Sequence, residues 1–461
     1  MSGTLAAALR ELVAEDLATP EGTLLVGEDR REFARRQIFA HLDRLADQEG
    51  DRWSSDAPED ELRLARSVLD ALFGLGRLQA LVDDPEIENI DVNGCDRVWA
   101  TFADGSKRLM PAVADSDEEL IDLVRSAASR FGLSERRFDL ARPELDLRLP
   151  DGSRLSALMA VTARPSISIR RHRYSDLSLR DLHELGTVDR EVASLLGAAV
   201  RARKNIVVSG AMNSGKTTLL RALAAEISPR ERIVTIEQAL ELALDGTPDR
   251  HPDLVALEAR PANLEGQGLI SVADLVRRAL RMNADRVIVG EVLGDEVLPM
   301  LNAMSQGRSG SMCTIHSDSS AGVFRRIASY AVQAPEHLPL EASNLLVAGS
   351  VHFVVHLDSA IGDERRVAGG GPDRADWLAA DLSDPPEEGC HFPSGSARQR
   401  FVSSIREVVD AEGTQVISNE IFRPGPDRRA VAESPIRPTT LRELREVGYE
   451  PSDSGALGML V

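Results

Sequence analysis

The chain has 461 residues, a hydrophobic fraction of 43% and a formal net charge of −20. Its length exceeds what one ordinary core supports and predicts two or three domains, and its hydrophobic fraction is normal for a soluble globular protein. The acidic balance argues against nucleic acid as the main partner, because binding to phosphate backbones depends on basic surface.

The sequence also disfavours a membrane-spanning protein and a secreted, disulfide-bonded one. No apolar run reaches the roughly 18 residues that suggest a membrane span, and the start Met1-Ser-Gly-Thr-Leu lacks the basic and apolar regions of a signal peptide. Cys95, Cys313 and Cys390 lie far apart and are odd in number, which disfavours a disulfide framework or a zinc site. These features predict a cytoplasmic protein.

The first 173 residues predict a helical extension followed by a small α/β domain. Residues 1–55 are charged and helical in pattern, and a polar break precedes the domain at 56–173. Asp104-Gly105 and Asp151-Gly152 each separate two short runs, which is a hairpin signal. The predicted helices are 62–82 and 115–131, the second opened by a Ser116–Glu119 capping box, and the predicted strands are 87–92, 98–109 (as a hairpin), 145–149, 155–160 and 166–171.

After a polar linker at 174–186, helices and strands alternate through 187–358, as a mostly parallel sheet requires. The segment 359–399 is rich in Gly, Pro, Asp and Ser and predicts a flexible insertion. Residues 400–461 begin with a hairpin and end in a tail. The predicted strands are 206–209, 233–236, 287–289, 312–315 and 351–357, and the predicted helices are 190–203, 219–227, 272–282, 296–304, 321–332 and 341–348.

The first strand of this alternating region leads into Gly210-x-x-x-x-Gly215-Lys216-Thr217, a P-loop in strand–loop–helix context. Only three of the 54 basic residues are lysine, so a lysine at this position marks a place for a compact ammonium on the β- and γ-phosphates. The Thr217 hydroxyl is placed to hold Mg²⁺. The expected nucleotide-binding residues are Gly210, Ala211, Met212, Asn213, Ser214, Gly215, Lys216, Thr217 and Thr218.

Three later strands end in polar residues that suit phosphoryl transfer. Glu291 follows one strand and would face the γ-phosphate. Glu237 ends another, with Glu241 four residues on, and both are candidate ligands of the metal or of its waters. His316 ends a third and is suited to bond the γ-phosphate or the attacking water. The alternatives are surface acids in an acidic protein and a structural histidine.

These residues belong to an ordered set of motifs that resembles the type II/type IV secretion ATPases over roughly residues 60 to 425. Within that family the chain looks most like the CpaF-like branch, which drives tight-adherence (Flp) pilus assembly. The motifs that carry the resemblance are Asp84-Pro-Glu-Ile-Glu-Asn-Ile-Asp-Val-Asn-Gly94, Arg148-Leu-Pro-Asp-Gly-Ser-Arg154, Gly210 to Thr217, Arg232-Ile-Val-Thr-Ile-Glu237, Arg260-Pro-Ala-Asn with Glu265-Gly, Leu280-Arg-Met282, Asp285-Arg-Val-Ile-Val-Gly-Glu291, Gly310-Ser-Met with Thr314-Ile-His316, and Ile405-Arg-Glu-Val408.

The resemblance implies a RecA-like P-loop NTPase core with a smaller α/β N-terminal domain, and ATP held between the two. It implies a hexameric ring seated peripherally at the cytoplasmic face of the membrane, where it acts through a polytopic platform protein on a pilin-like or secreted substrate. The implied cofactors are ATP and Mg²⁺.

The resemblance also implies roles for single residues. Glu237 and Glu241 would form the acidic box, Glu291 would be the catalytic carboxylate, and His316 would belong to the histidine box. Arg148 and Arg154, in the hairpin ahead of the linker, match arginines that reach the phosphates from the N-terminal domain. Salt bridges to the nearby Asp146 and Asp151 are the alternative reading of that pair.

The chain departs from the family pattern at several positions. Ala211 and Asn213 stand at loop positions that are usually glycine, and Gln238, Leu293, Arg308 and Ser309 replace usual Asp, Arg, His and Asp residues. The leading hypothesis remains an ATP-hydrolysing motor. A nucleotide-binding assembly scaffold with little hydrolysis is the alternative, and a RecA-like nucleic-acid motor is a third reading that the net charge opposes.

Overall fold

The computed structural model describes residues 2–49, 58–131, 137–171, 177–260, 262, 266–305, 309–361, 391–392 and 398–451. Most of the insertion expected at 359–399 lies outside these ranges, as do Glu265, Arg308 and Cys390. Within these ranges no helix combines the length and the apolarity that crossing a bilayer requires.

Helices dominate the start of the chain, and strands and helices alternate after it. The helices are α1 (Ser2–Leu17), α2 (Pro20–Leu24), α3 (Gly27–Glu49), α4 (Pro58–Phe73), α5 (Gln79–Asp83), α6 (Asp117–Phe131), α7 (Leu179–Glu184), α8 (Arg190–Arg201), α9 (Lys216–Ala224), α10 (Val272–Ala279), α11 (Val297–Ser305), α12 (Gly322–Gln333), α13 (Leu340–Ser350) and α14 (Pro438–Glu446). The strands are β1 (Ile87–Asn93), β2 (Val98–Phe102), β3 (Lys107–Met110), β4 (Glu144–Arg148), β5 (Arg154–Leu158), β6 (Ser166–Arg170), β7 (Ile206–Gly210), β8 (Ile233–Glu237), β9 (Leu254–Glu258), β10 (Arg286–Val292), β11 (Met312–His316), β12 (Phe353–Ile361), β13 (His391–Phe392), β14 (Arg398–Glu412), β15 (Gln415–Pro424) and β16 (Ala430–Ala432).

The chain forms two compact units, and the first comprises residues 1–173 and 371–395. Its seven-stranded sheet has the order β13-β3-β2-β1-β6-β5-β4. Both predicted Asp-Gly hairpins form, with Gly105 and Gly152 at positive φ. Ala65 and Val68 of α4, beyond the predicted end of the extension at residue 55, pack in one cluster with Leu9 and other residues of α1 and α3.

Two local predictions in this unit need correction. The helix expected at 62–82 stops at Phe73, and a short turn at Gly76–Leu78 separates it from α5, since Gly76 has a positive φ of 55°. Ser116 does accept the Glu119 N–H, but the Glu119 carboxylate bonds the N–H of Asp115 rather than that of Ser116. The Ser116 half of the predicted capping box therefore forms, whereas the Glu119 half is displaced by one residue.

The second unit comprises residues 174–370 and 396–461 and is built on a nine-stranded sheet. The strand order is β16-β15-β14-β12-β7-β11-β10-β8-β9. The strands from β12 to β9 are mutually parallel, and β14, β15 and β16 add an antiparallel edge. The predicted fold class, α/β with a P-loop in a mostly parallel sheet, is confirmed.

The core of this unit lies on both faces of the sheet. Ile206 and Val208 of β7 pack against α8 and α9 on one face, whereas Val207 packs against α11 and α12 on the other. Every residue of β7 is buried, as expected for a central strand of a parallel sheet. This double burial fixes the positions of the strand ends, which carry polar side chains.

The late hairpin predicted at 401–409 and 414–422 forms as β14 and β15, with Gly413 at a φ of 54° in the turn. It extends the sheet of the P-loop strand, because β14 pairs with β12 along its length. Sequence patterns also missed β9, β16 and α14. Residues 398–451 thus belong to the second unit and approach the P-loop.

Candidate active site

The candidate site lies at the carboxyl edge of the parallel strands in the second unit. The sheet places β7 beside β11, β11 beside β10, and β10 beside β8, so the polar residues that end these strands share one edge. His316 stands opposite Gly210 in the register of β11 and β7. Three strand ends that are far apart in sequence therefore meet near the P-loop.

The P-loop itself has the backbone of a phosphate-binding turn. Asn213 and Gly215 have positive φ angles of 60° and 94°, and α9 begins immediately afterwards at Lys216. Asn adopts this conformation more readily than most residues, so the loop forms although glycine is absent at that position. The first N–H groups of α9 lie at the end of the helix that favours anions.

Exposure divides the loop residues into two groups. Ala211, Met212 and Asn213 are exposed at the tip, whereas Ser214 and Lys216 are buried. The Lys216 side chain is tied back, because Nζ donates to the Ala211 carbonyl at 3.0 Å. An incoming phosphate would compete with that carbonyl for the ammonium.

A chain of contacts joins Lys216 to the two strand-end residues. Lys216 Nζ lies 3.1 Å from His316 Nδ1, and His316 Nε2 lies 2.6 Å from Glu291 Oε1. Because an ammonium only donates, Nδ1 must accept and Nε2–H must donate to the Glu291 carboxylate. The predicted site residues Lys216, His316 and Glu291 form one hydrogen-bonded relay from the start of α9 through β11 to β10.

The acidic residue at the end of β8 plays a different part. Glu237 is 4% exposed, and its Oε1 accepts the backbone N–H groups of Glu241 at 3.0 Å and Leu242 at 2.9 Å. Burial raises the pKa of Glu237 to about 7, although these two hydrogen bonds oppose the rise. The carboxylate therefore holds the loop after β8.

The neighbouring strand is shaped around Glu237. A Cβ on Gly290 would lie 2.7 Å from Glu237 Cγ, which is closer than two non-bonded carbon atoms can approach each other. The Gly290 carbonyl accepts the Thr314 hydroxyl at 2.6 Å, which ties β10 to β11 just before Glu291 and His316. A glycine at 290 is thus required for the acidic side chain to enter the sheet edge.

The residues present fit Mg²⁺ with few protein ligands. Within the part of the chain that the structure describes, no three His, Cys, Asp or Glu side chains are arranged to hold a metal ion. Mg²⁺ at phosphate sites commonly uses one or two protein oxygens together with waters and phosphates, so this finding agrees with the predicted Thr217 ligand, which follows Lys216 at the start of α9. Glu237 and Glu241 remain predicted metal ligands, although Glu237 Oε1 already accepts two N–H groups.

The predicted arginine pair lies in the first unit, on the hairpin of β4 and β5. Arg148 and Arg154 stand directly opposite each other in the strand register. Arg154 also approaches Asp146, with NH2 3.7 Å from Oδ1, while Asp151 caps the Ser153 N–H in the turn. The hairpin therefore places two arginines at opposed positions, and Arg154 has a carboxylate neighbour of the kind that the alternative interpretation expected.

Sequence reasoning missed a second histidine beside the P-loop strand. His356 of β12 is buried, and its Nδ1 lies 2.9 Å from the Ser209 hydroxyl of β7. Burial lowers the pKa of His356, which favours the neutral ring. Its position one residue from the end of an apolar run was the available signal.

Sequence reasoning also missed an arginine that lies on the P-loop. Arg400 of β14 donates from Nε to the Asn213 carbonyl at 3.0 Å. Its Cδ lies 3.4 Å from the position that a Cβ on Gly215 would occupy. No sequence pattern connects residues separated by this distance along the chain.

Comparison with protein families and curated proteins places these motifs in a known group. The family model described as "Type II/IV secretion system protein" matches residues 73–420. A "Putative conjugal transfer protein" of Mycobacterium tuberculosis is 36% identical over 306 residues, which cover 64% of this chain and 84% of that protein. Type IV secretion system protein VirB11 of Brucella suis is 30% identical over 319 residues, covering 63% of this chain and 86% of VirB11.

The chain is also similar to a solved structure. The VirB11 ATPase from the Brucella suis type IV secretion system, in complex with sulphate, shares 28% identity with it at a TM-score of 0.33. That match covers 66% of this chain and 93% of the VirB11 chain.

Proposed function

Because the chain belongs to the type II/IV secretion system protein family, we propose that it is an ATP-hydrolysing motor. The motor is a hexamer that powers pilus assembly or protein secretion across the cytoplasmic membrane through a membrane platform protein. Its motif set favours the CpaF-like, tight-adherence branch. The protein acts in the cytoplasm, peripherally at the membrane.

The observation that carries the proposal is the relay from Lys216 through His316 to Glu291. It brings a phosphate-binding ammonium and a carboxylate to the same sheet edge, with a histidine between them. A site that only binds nucleotide needs the ammonium but not the carboxylate. Hydrolysis needs both, because a group must also orient the attacking water.

Each residue of the site has a separate role in ATP hydrolysis. Lys216 and the N–H groups at the start of α9 hold the β- and γ-phosphates of ATP, and the Thr217 hydroxyl would hold Mg²⁺, which would supply positive charge to the phosphates. Glu291 orients a water for in-line attack on the γ-phosphorus and takes up its proton. A P–O bond to water forms, the bond from the γ-phosphorus to the bridging oxygen breaks, and ADP and phosphate leave.

His316 connects nucleotide binding to the carboxylate. A γ-phosphate that draws Lys216 away from His316 Nδ1 leaves that nitrogen able to accept a proton, and the ring can then reorient its bond to Glu291. Arg148 and Arg154 are the candidate sources of further positive charge for the phosphates. Supplying such charge only at one stage of the cycle is how a motor couples chemistry to movement.

A phosphate-release assay on the full chain tests the proposal. We expect Mg²⁺-dependent release by the wild type, and we expect Glu291→Gln to bind ATP while its release rate falls by a factor on the order of 10² or more. Lys216→Ala should lose ATP binding itself. Glu336→Gln, which removes an exposed carboxylate that pairs with Arg277, is the control and should match the wild type.

Two results distinguish the alternatives. Wild-type release no faster than that of Glu291→Gln, with ATP binding and nucleotide-dependent assembly intact, would identify a nucleotide-gated scaffold. The departures from the family pattern at Gln238 and Leu293 make this scaffold the second candidate function. Light scattering with and without ATP measures the assembly state. Failure of the wild type to bind ATP would reject both functions.

A further inference from the structure

The P-loop carries an arginine that neither the motif pattern nor the proposed roles account for. Arg400 is exposed at the start of β14, and its Nε donates to the carbonyl of Asn213 at the loop tip. The Arg400 stem packs beside Gly215, where Cδ lies 3.4 Å from the ideal Cβ position. The guanidinium is therefore tethered to the loop rather than extended into solvent.

Sheet topology explains how Arg400 reaches the loop. Leu357 of β12 pairs with Gly210 at the end of β7 and with Val402 of β14 on its other side. Arg400 lies two residues before Val402, beyond the point where β7 turns into the P-loop. The start of β14 therefore places the Arg400 side chain next to the P-loop.

The neighbouring acid is already neutralised. Asp358 of β12, which pairs with Phe401 in the register, forms an ion pair with Arg428. The nearby Arg429 stacks on the Phe401 ring at 5.0 Å and donates to the Gly186 carbonyl. Among the described residues, Arg400 has no ion pair with a carboxylate, and the Asn213 carbonyl is its one hydrogen-bond acceptor.

A guanidinium held by one neutral carbonyl keeps its charge and its terminal N–H groups for another acceptor. The site beside it is an anion site, formed by the P-loop and the start of α9. Guanidinium groups bind phosphate oxygens strongly and often through two parallel hydrogen bonds.

We infer that Arg400 is a nucleotide-binding residue that contacts the phosphate chain of ATP from within the same subunit. The inference rests on the proposed function, since it assigns a further ligand to the same site. Arg400 adds a cation to the P-loop from the side of β7 where β12 and β14 lie, whereas His316 and Glu291 lie on its other side, on β11 and β10. It acts on binding and leaves the hydrolytic relay unchanged.

Displacement of a fluorescent ATP analogue from the full chain tests this role, with ATP and inorganic tripolyphosphate as the two competitors. Arg400→Gln can still donate to the Asn213 carbonyl but carries no charge, and Arg400→Lys keeps both. We expect Arg400→Gln to weaken ATP and tripolyphosphate alike by about tenfold, and Arg400→Lys to stay within about threefold of the wild type. Arg423→Gln removes an exposed arginine on β15 that pairs with Glu433 and should leave both affinities unchanged.

The outcomes are separable. Arg400→Gln with wild-type affinity would show that Arg400 only tethers the loop, and would overturn the inference alone. Weakened ATP binding with unchanged tripolyphosphate binding would place Arg400 on the base or ribose, and would also overturn it. A salt dependence of tripolyphosphate binding that is shallower in Arg400→Gln than in the wild type supports a direct charge contact. A wild type that binds neither competitor would reject the proposed function and this inference together.

Discussion

Replacing Glu237 with Gln should stabilise the folded state relative to the wild type, and this difference in stability should grow as the pH rises. Burial raises the pKa of Glu237 from 4.5 to about 7. Below about pH 4.5 the group is protonated in both states, so it imposes no penalty. Between these pKa values the unfolded chain loses the proton while the folded chain keeps it, and stability falls with rising pH. The full penalty, present above pH 7, is about 3 kcal/mol at about 1.4 kcal/mol per pKa unit.

Gln keeps the oxygen that accepts the N–H groups of Glu241 and Leu242, so the substitution removes the charge and retains the two hydrogen bonds. The assay is thermal and urea unfolding of both proteins from about pH 5.5 to 8, with EDTA present and nucleotide absent. The advantage of Glu237→Gln over the wild type should grow by about 2 kcal/mol across that range. The control, Glu258→Gln, changes the carboxylate opposite Glu237 in the register of β8 and β9. Parallel stability curves for Glu237→Gln and the wild type would refute the reasoning.

Two further predictions concern the sheet that supports the site. Gly310→Ala should destabilise the protein by about 2 kcal/mol or more, because Gly310 has a φ of 93° and a Cβ there would lie 2.1 Å from the buried Arg286 NH1. Gly349→Ala, in the exposed part of α13 with no atom near the new Cβ, should be neutral or slightly stabilising in the same urea titrations. Burial raises the pKa of the Cys313 thiol to about 12, so its alkylation near pH 8, followed by mass spectrometry of peptides, should wait for unfolding. The half-buried Cys95, whose pKa burial also raises, should react slowly in the folded state but before Cys313.

The local structures that were predicted correctly around the candidate site carry local signals. The P-loop lies within a single strand–loop–helix segment, so its residues identify it without tertiary information. The Asp-Gly pairs likewise specify their hairpins, because positive φ at the glycine is a property of the turn. Glu291 and His316 were placed at strand ends by apolar runs that stop at a polar residue.

The contacts between these parts depend on strand order, which patterns along the chain do not encode. Lys216 meets His316 because β11 inserts between β7 and β10, although β8 follows β7 in sequence. Arg400 was assigned to a separate C-terminal hairpin, and only the pairing of β14 with β12 brings it to the loop. The sequence predicted Glu237 as a metal ligand or a surface acid, and it did not predict the burial of this side chain, which arises from tertiary packing beside Gly290.

The most direct test of the account is a double-mutant cycle on the phosphate-release rate with Glu291→Gln and His316→Ala. The central claim is that Lys216, His316 and Glu291 act as one hydrolytic unit. It predicts strongly non-additive losses, with the double variant releasing phosphate about as slowly as Glu291→Gln alone while still binding ATP. Losses that multiply independently, or a His316→Ala variant as fast as the wild type, would contradict it.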